Sequence, residues 1–169
     1  MAVVQNRLRD WGDLYELPLK YVTWKACFLL ALASFSRVSE LASMARKDFF
    51  ISSMTISLKV PRKSQSEGPL QRIIIQRYGD KDLCPVFCLS RYLELTKDLV
   101  NPEFDSLFGS PKRRYHPVGV SAIGKWIKAT LQKLGVNTSV YSAHSTRGAA
   151  ASAAFARGSP VDSILKTAN

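Results

Sequence analysis

The stretch Tyr141-Ser-Ala-His144-Ser-Thr-Arg147-Gly-Ala-Ala150 decides how the rest of this sequence is read. The Ala-rich run from Ala149 to Ala156, closed by Gly158, predicts a helix with His144 and Arg147 at its start. Residues three apart on a helix lie on one face, about one turn from each other. Far upstream, Ser36-Arg37-Val-Ser-Glu40-Leu supplies a second arginine. Two guanidinium groups and an imidazole aimed at one point make a site for a phosphate: bidentate donors for the oxygens, and a ring that can bond or move a proton. Arg37 alone is a weaker signal. In the first turn of a helix it gains nothing from a dipole that favours anions there, and Glu40, three residues on, is a ready partner for a surface ion pair.

Charge indicates which phosphate. The 169 residues carry a net charge of +11, and no Asp or Glu occurs between Asp105 and Asp162. That interval holds Lys112, Arg113, Arg114, Lys125, Lys128, Lys133, Arg147 and Arg157, the footprint of binding to a nucleic-acid backbone. A basic surface kept for solubility is the plainer alternative. The length suits a single domain, 1–169, with a real core, and an apolar fraction of 46% argues against disorder. No apolar run reaches the ~18–20 residues of a membrane span, so no membrane partner is expected. Arg7, Arg9 and Asp10 stand where a signal peptide needs an apolar core. Cys27, Cys84 and Cys88 cannot pair completely and suit a reducing compartment as core filler. Cys84 and Cys88 lack a second pair of ligands, so no metal is expected.

Along the chain, a short helix is expected over Val3 to Leu14, with Leu8 and Trp11 on one side. Pro18 breaks it, and Thr23 is the candidate N-cap of a helix from Trp24 to Phe35 that is apolar all round and therefore buried. Ser36 is the candidate cap of a short helix running to Ala45, which places Arg37 in its first turn. A small antiparallel sheet follows: Phe49 to Ile51, then Met54 to Val60 with period-2 alternation, then Arg72 to Arg77. The polar connection Pro61 to Pro69 carries Lys63. Pro85 opens a helix to about Leu99. In the basic loop Pro111 to Pro117, Tyr115 is a candidate for base or sugar contacts. Val120, Ile123, Ile127, Leu131 and Leu134 make the inner face of an amphipathic helix closed by Gly135, while Lys125, Lys128 and Lys133 are directed towards phosphates. The expected fold is mixed and mainly α (α+β), with a three-stranded antiparallel sheet.

With these pieces in place the chain resembles the catalytic domain of the tyrosine recombinases, the phage-integrase family. Ser36-Arg37-Val-Ser-Glu40-Leu is similar to that family's first box, Lys63 between two strands to its hairpin lysine, and His144-Ser-Thr-Arg147 to its H-x-x-R box. The phrasing around Leu17-Pro18-Leu19, and Gly-Ala-Ala after Arg147, resembles the eukaryotic DIRS-type and Crypton-like mobile elements. The resemblance implies the DNA breaking-rejoining fold and a chemistry without metal or nucleotide cofactor. A tyrosine attacks a phosphodiester of double-stranded DNA, leaving a 3′-phosphotyrosyl link and a free 5′-hydroxyl. It implies that Arg37 and Arg147 hold the non-bridging oxygens, that Lys63 protonates the leaving oxygen, that His144 assists the nucleophile or bonds the phosphate, and that Glu40 positions its neighbours. Lys112, Arg113, Arg114, Lys125 and Lys128 are expected to contact DNA. The family's second His or Trp and its nucleophilic Tyr fall beyond Asn169, so no nucleophile is expected in this chain, and the amino-terminal core-binding domain is expected to be absent. Family members act as tetramers; this piece is expected to be monomeric alone, to bind DNA without cutting it, and to belong where the genome is, the nucleus of a eukaryote. A non-catalytic DNA-binding module derived from such an element is the alternative reading.

Overall fold

Between Val22 and Ala31 the sequence leaves water almost no face to wet, and the chain is arranged to cover it. In the computed structural model, which describes residues 2–52, 55–60, 71–100, 103, 105–110 and 115–163, the order is α1 (Ala2–Arg9), α2 (Leu19–Ser34), α3 (Val38–Ala42), β1 (Phe49–Ile51), β2 (Thr55–Val60), β3 (Gln71–Gln76), α4 (Pro85–Thr96), α5 (Val120–Lys133) and α6 (Ser145–Ala156). Helix α2 packs against α3, α4, α5, α6 and β3. Val22, Ala26, Cys27, Phe28, Leu29, Leu30 and Ala31 are each no more than 5% exposed. The fold is therefore mixed and mainly helical, as the periodicities indicate.

The ends of α2 differ from expectation. The helix starts at Leu19, and Pro18 (φ −55°, ψ 145°) stands at the cap position. A proline just outside a helix loses nothing, because its missing N–H would have had no partner there. Thr23 lies buried inside the helix and donates its hydroxyl to the Leu19 carbonyl at 2.7 Å. At the other end, Phe35 adopts the left-handed conformation (φ 50°, ψ 30°) and turns the chain out of the helix. The Ser34 hydroxyl lies 2.7 Å from both the Leu30 carbonyl and Ser36 Oγ and is placed to donate to either acceptor. Ser36 lies one residue outside the cap position and does not cap α3. Arg37 does not sit in the first turn: it is itself the cap residue, in extended conformation, and α3 ends at Ala42 rather than Ala45.

The sheet is an antiparallel meander in the order β1-β2-β3. Its register sets Phe50 opposite Ser57 and Ser57 opposite Ile74. Ile73 and Ile75 are buried whereas Ile74 is 64% exposed, the alternation of a sheet with one wet face. Met54 and the 61–70 connection lie outside the described residues. Pro85 opens α4 at its first turn, and the helix ends at Thr96, short of Leu99.

Helix α5 closes on Gly135 (φ 71°), with the amides of Gly135 and Val136 donating to Gln132 and Leu131 at 2.9 Å each, the Schellman pattern. Its inner face is made by Ile123, Trp126, Ile127, Thr130 and Leu131. Val120 is 49% exposed and does not join it; Trp126, 9% exposed, takes the place. Helix α1 stops at Arg9, before Trp11, where Gly12 (φ 94°) reverses the chain.

Three outcomes follow from this packing. Cys27, Cys84 and Cys88 are buried free thiols, and burial pushes Cys88 from an ordinary 9.0 up to about 12. All three should resist a water-soluble thiol reagent at neutral pH and react once the chain is unfolded. Because the fold holds the Cys88 proton more tightly than the unfolded chain does, that contribution to stability should be intact below pH ~9 and lost as pH rises towards the folded value. A Cβ at Gly109 would collide with the Tyr115 ring, so Gly109→Ala should lower stability by about 1–3 kcal/mol in urea unfolding. Glu40→Ala, which strips the cap of α3, should cost about 2–3 kcal/mol by the same measurement.

Candidate active site

Glu40 explains why Arg37 is where it is. The carboxylate is 1% exposed, and its Oε2 accepts the Arg37 backbone N–H at 2.7 Å. Its Oε1 accepts from Arg37 Nη1 at 2.9 Å. One acid therefore caps the short helix and tethers the guanidinium of the same residue. The pair is not the exposed contact the spacing alone describes: the Arg37 side chain is 38% exposed and that of Glu40 is 1% exposed. Glu40 is the partner of Arg37 among the described residues. A guanidinium carries five donors in a planar fork, and the tether uses one of them. The rest of the fork is available to an oxyanion.

His144 and Arg147 stand one turn apart at the start of α6. His144 occupies the cap position (φ −71°, ψ −28°) and is exposed; Arg147 is half-buried, with Nη1 shielded from solvent. Thr146 and Ala150 are the buried positions of this helix, and α6 packs against α2. Small residues allow that close approach. Two apolar grooves flank the helix. One, of about 360 Å³, is lined by Leu29, Leu32, Ala153, Ala154 and neighbours; the other, of about 300 Å³, by Phe28, Leu131, Ser142, Thr146 and neighbours. The fold thus brings Arg37 to Glu40 and His144 to Arg147, with α2 the element common to both groups.

Lys125 and Lys128 are exposed on the outer side of α5 and have no acidic partner among the described residues. This helix also packs against α3, where Gly124 faces Val38. Lys133 is a different case. Its Nζ lies 5.4 Å from the Trp11 ring centroid and 5.1 Å from that of Tyr21, a cation–π seat that directs it to the protein and not to a phosphate. Tyr115 likewise turns inward. Its hydroxyl accepts from Arg46 Nη2 at 2.8 Å and meets the Tyr92 hydroxyl at 2.7 Å, so the base or sugar contact expected of it is not available to that hydroxyl. Lys63, Lys112, Arg113 and Arg114 lie outside the described residues. Sequence reading gives Tyr92 only a place on the inward side of its helix, where it is indeed buried, and does not single out Arg46. Each looks ordinary in its own neighbourhood, and only the fold brings them to Tyr115. Among the described residues no group of His, Cys, Asp and Glu could hold a metal ion, and no helix is long and apolar enough to cross a membrane.

The sequence matches no family model and no curated protein. Solved structures do match along nearly its whole length. The XerH site-specific recombinase bound to its difH substrate superposes with a TM-score of 0.71 at 11% identity, over 98% of this chain and 44% of that one. The XerA recombinase gives 0.70 at 19% identity, over 99% and 52%. The lambda integrase catalytic core gives 0.55 at 18% identity, over 92% and 90%. The chain therefore spans about half the length of XerH and XerA and most of the lambda catalytic core. At these identities the likeness is one of fold, and the fold is that of the recombinase catalytic domains.

Proposed function

We propose that this chain is a DNA strand-transfer domain of the tyrosine-recombinase type, serving recombination or integration. The observation that carries the reading is Arg37: a half-exposed guanidinium tethered by a buried carboxylate, at the end of the helix on which the His144–Arg147 helix packs. In this reading Arg37 and Arg147 receive the non-bridging oxygens of one phosphodiester, where negative charge grows as a tyrosine oxygen attacks phosphorus. His144, exposed at the mouth of α6, bonds the phosphate or takes the proton of the nucleophile. Lys63 delivers a proton to the 5′-oxygen as the P–O5′ bond breaks. Lys125 and Lys128, with Lys112, Arg113 and Arg114, contact the flanking backbone.

We assign the nucleophile to no tyrosine of this chain. The Tyr115 hydroxyl is engaged by Arg46 and Tyr92, and Tyr141 precedes the box. The partner is double-stranded DNA, and no cofactor is assigned. Lambda integrase has been solved as a tetramer bound to a Holliday junction, with a TM-score of 0.52 to this chain; for this chain alone we propose a monomer. Its source is proposed to be a eukaryotic mobile element of the DIRS or Crypton kind, and its place of action the nucleus.

Fluorescence anisotropy on a labelled duplex across a salt series tests the assignment. Arg37→Ala and Arg147→Ala should each weaken binding and make the plot of log K against log salt shallower by about 0.9 per lost phosphate contact. Slopes equal to wild type in both variants would remove the two arginines from the DNA site.

A further inference from the structure

Helix α1 is fastened at its last turn and little elsewhere. Among its described side chains Leu8 alone is buried, at 1% exposure. The other fastenings are polar. Arg9 Nε donates to Asp80 Oδ2 at 2.6 Å, an ion pair whose side chains are 46% and 24% exposed. The Leu8 carbonyl accepts from the buried Lys25 Nζ at 3.2 Å, and Asp82 lies 3.7 Å from the same ammonium. Arg7 sets its guanidinium against the bare Cα of Gly135, at the turn that closes α5. These contacts reach α2, the end of α5 and the Lys81–Leu83 turn, yet none is strong. An exposed ion pair is worth little. Covering the Lys25 ammonium even opposes docking, because the charge regains its water when α1 lifts.

What α1 borders is the seat of α6. Val4 lines both grooves that flank that helix, sharing one with Ala150, Ala153 and Ala154 and the other with Thr146 and Ala149. Leu8 joins it in the first. The seat itself is light. Thr146 and Ala150, both small, are the buried residues of α6, and its one aromatic residue, Phe155, is exposed. The Thr146 hydroxyl is shielded from solvent and has no hydrogen-bond partner among the described residues, so its burial weakens the seat. A helix resting on two small side chains, with an apolar groove on either side, forgoes much of the dispersion contact that fixes a helix in a core. One wall of each groove comes from α1. The docking of α1 and the placement of α6 are therefore two aspects of one packing arrangement, and α6 is the helix that carries Arg147, with His144 at its cap.

We propose that α1 is a releasable strap: docked, it holds α6 on α2, and with it His144 and Arg147; released, it lets that helix shift. Hydrogen–deuterium exchange on the whole chain, resolved by helix, tests the coupling. In the wild type, the α1 amides and those of Ala149 to Ala156 should share an opening at least about 10-fold more frequent than that of α4. Arg9→Gln cuts the ion pair and leaves Asp80 to accept from the Asp82 N–H. It should speed exchange about 2- to 5-fold in α1, as expected for an exposed pair, and by a similar factor in α6. Val4→Ala, which alters no charge, should speed the same two helices. Should a variant fail to fold by near-UV circular dichroism, a salt series on the wild type carries the comparison, since salt screens the Arg9–Asp80 pair and both helices should quicken together. Equal protection of α1, α6 and α4, the mark of a single global unfolding, overturns the strap. So does a faster α1 beside an α6 at its wild-type rate, or no change in α1 when the pair is cut or screened. The readout uses no DNA, so its failure would leave the DNA reading where it stands.

Discussion

Everything in this fold answers to the need to keep α2 out of water. Fully burying one Leu, Val or Phe side chain contributes about 1.5–3 kcal/mol, and a domain's net stability is only about 5–15 kcal/mol. A helix apolar on nearly every side therefore cannot be left with an open flank. Four helices and the inner face of the sheet pack around it. Its one buried cation shows how strict the arrangement is. Lys25, with no exposed surface, sets Nζ 3.2 Å from the Leu8 carbonyl and 3.7 Å from Asp82. The last carbonyls of α1 are where a cation is best received, since they carry the negative end of that helix.

Placing α2 also places the site. Once the helix is enclosed, the chain can leave it only by a sharp turn, and Phe35 in the left-handed region with the Ser34–Ser36 hydroxyl pair makes that turn. Arg37 follows at once. A helix as short as α3 cannot sustain itself by its own hydrogen bonds, so its start depends on the Glu40 carboxylate. Burying that charge would be costly without compensation, and the Arg37 amide and guanidinium supply it. The same contact that makes α3 possible thus orients the arginine, so the helix cap and the proposed phosphate site share one carboxylate.

What could be read from the residues follows the physics of each signal. The apolar run of α2, the alternation of Ile73 to Ile75, Pro85 at a helix start and Gly135 at a helix end were legible because each depends on a few neighbours in sequence. Thr23 and Ser36 look like caps, yet neither caps: the first bonds back to Leu19 inside a longer helix, and the second is taken by Ser34. A hydroxyl has several partners within reach, and packing chooses among them. Val120 has the right spacing for the core of α5, but the face that meets α2 is rotated towards Trp126. Tyr115 and Lys133 were read outward because aromatic and basic residues in polar surroundings suit nucleic acid. Arg46 and Tyr92 claim the first, and Trp11 and Tyr21 the second, all brought from remote parts of the chain. Local sequence holds no trace of such partners. For His144 and Arg147 the helix itself was legible, because spacing along one helix is a local property.

The distribution of charge completes the case for a polyanionic partner better than the total does. Among the described residues the ion pairs Arg9–Asp80, Lys25–Asp82, Arg37–Glu40, Lys47–Asp105 and Arg91–Glu94 draw both partners from the first 105 positions. Acids and bases of that part answer one another, so much of its charge is spent internally. The stretch from Ser106 to Val161 has no acid to spend. Of its cations, Lys133 is received by rings, whereas Lys125 and Lys128 face solvent. A surface made basic only for solubility would intersperse both signs, since mixed charge serves that end equally well. Excluding carboxylates from more than fifty consecutive positions, on the part of the chain that carries His144 and Arg147, is the pattern that the proposed phosphate-backbone partner would require, since an acid there would repel it.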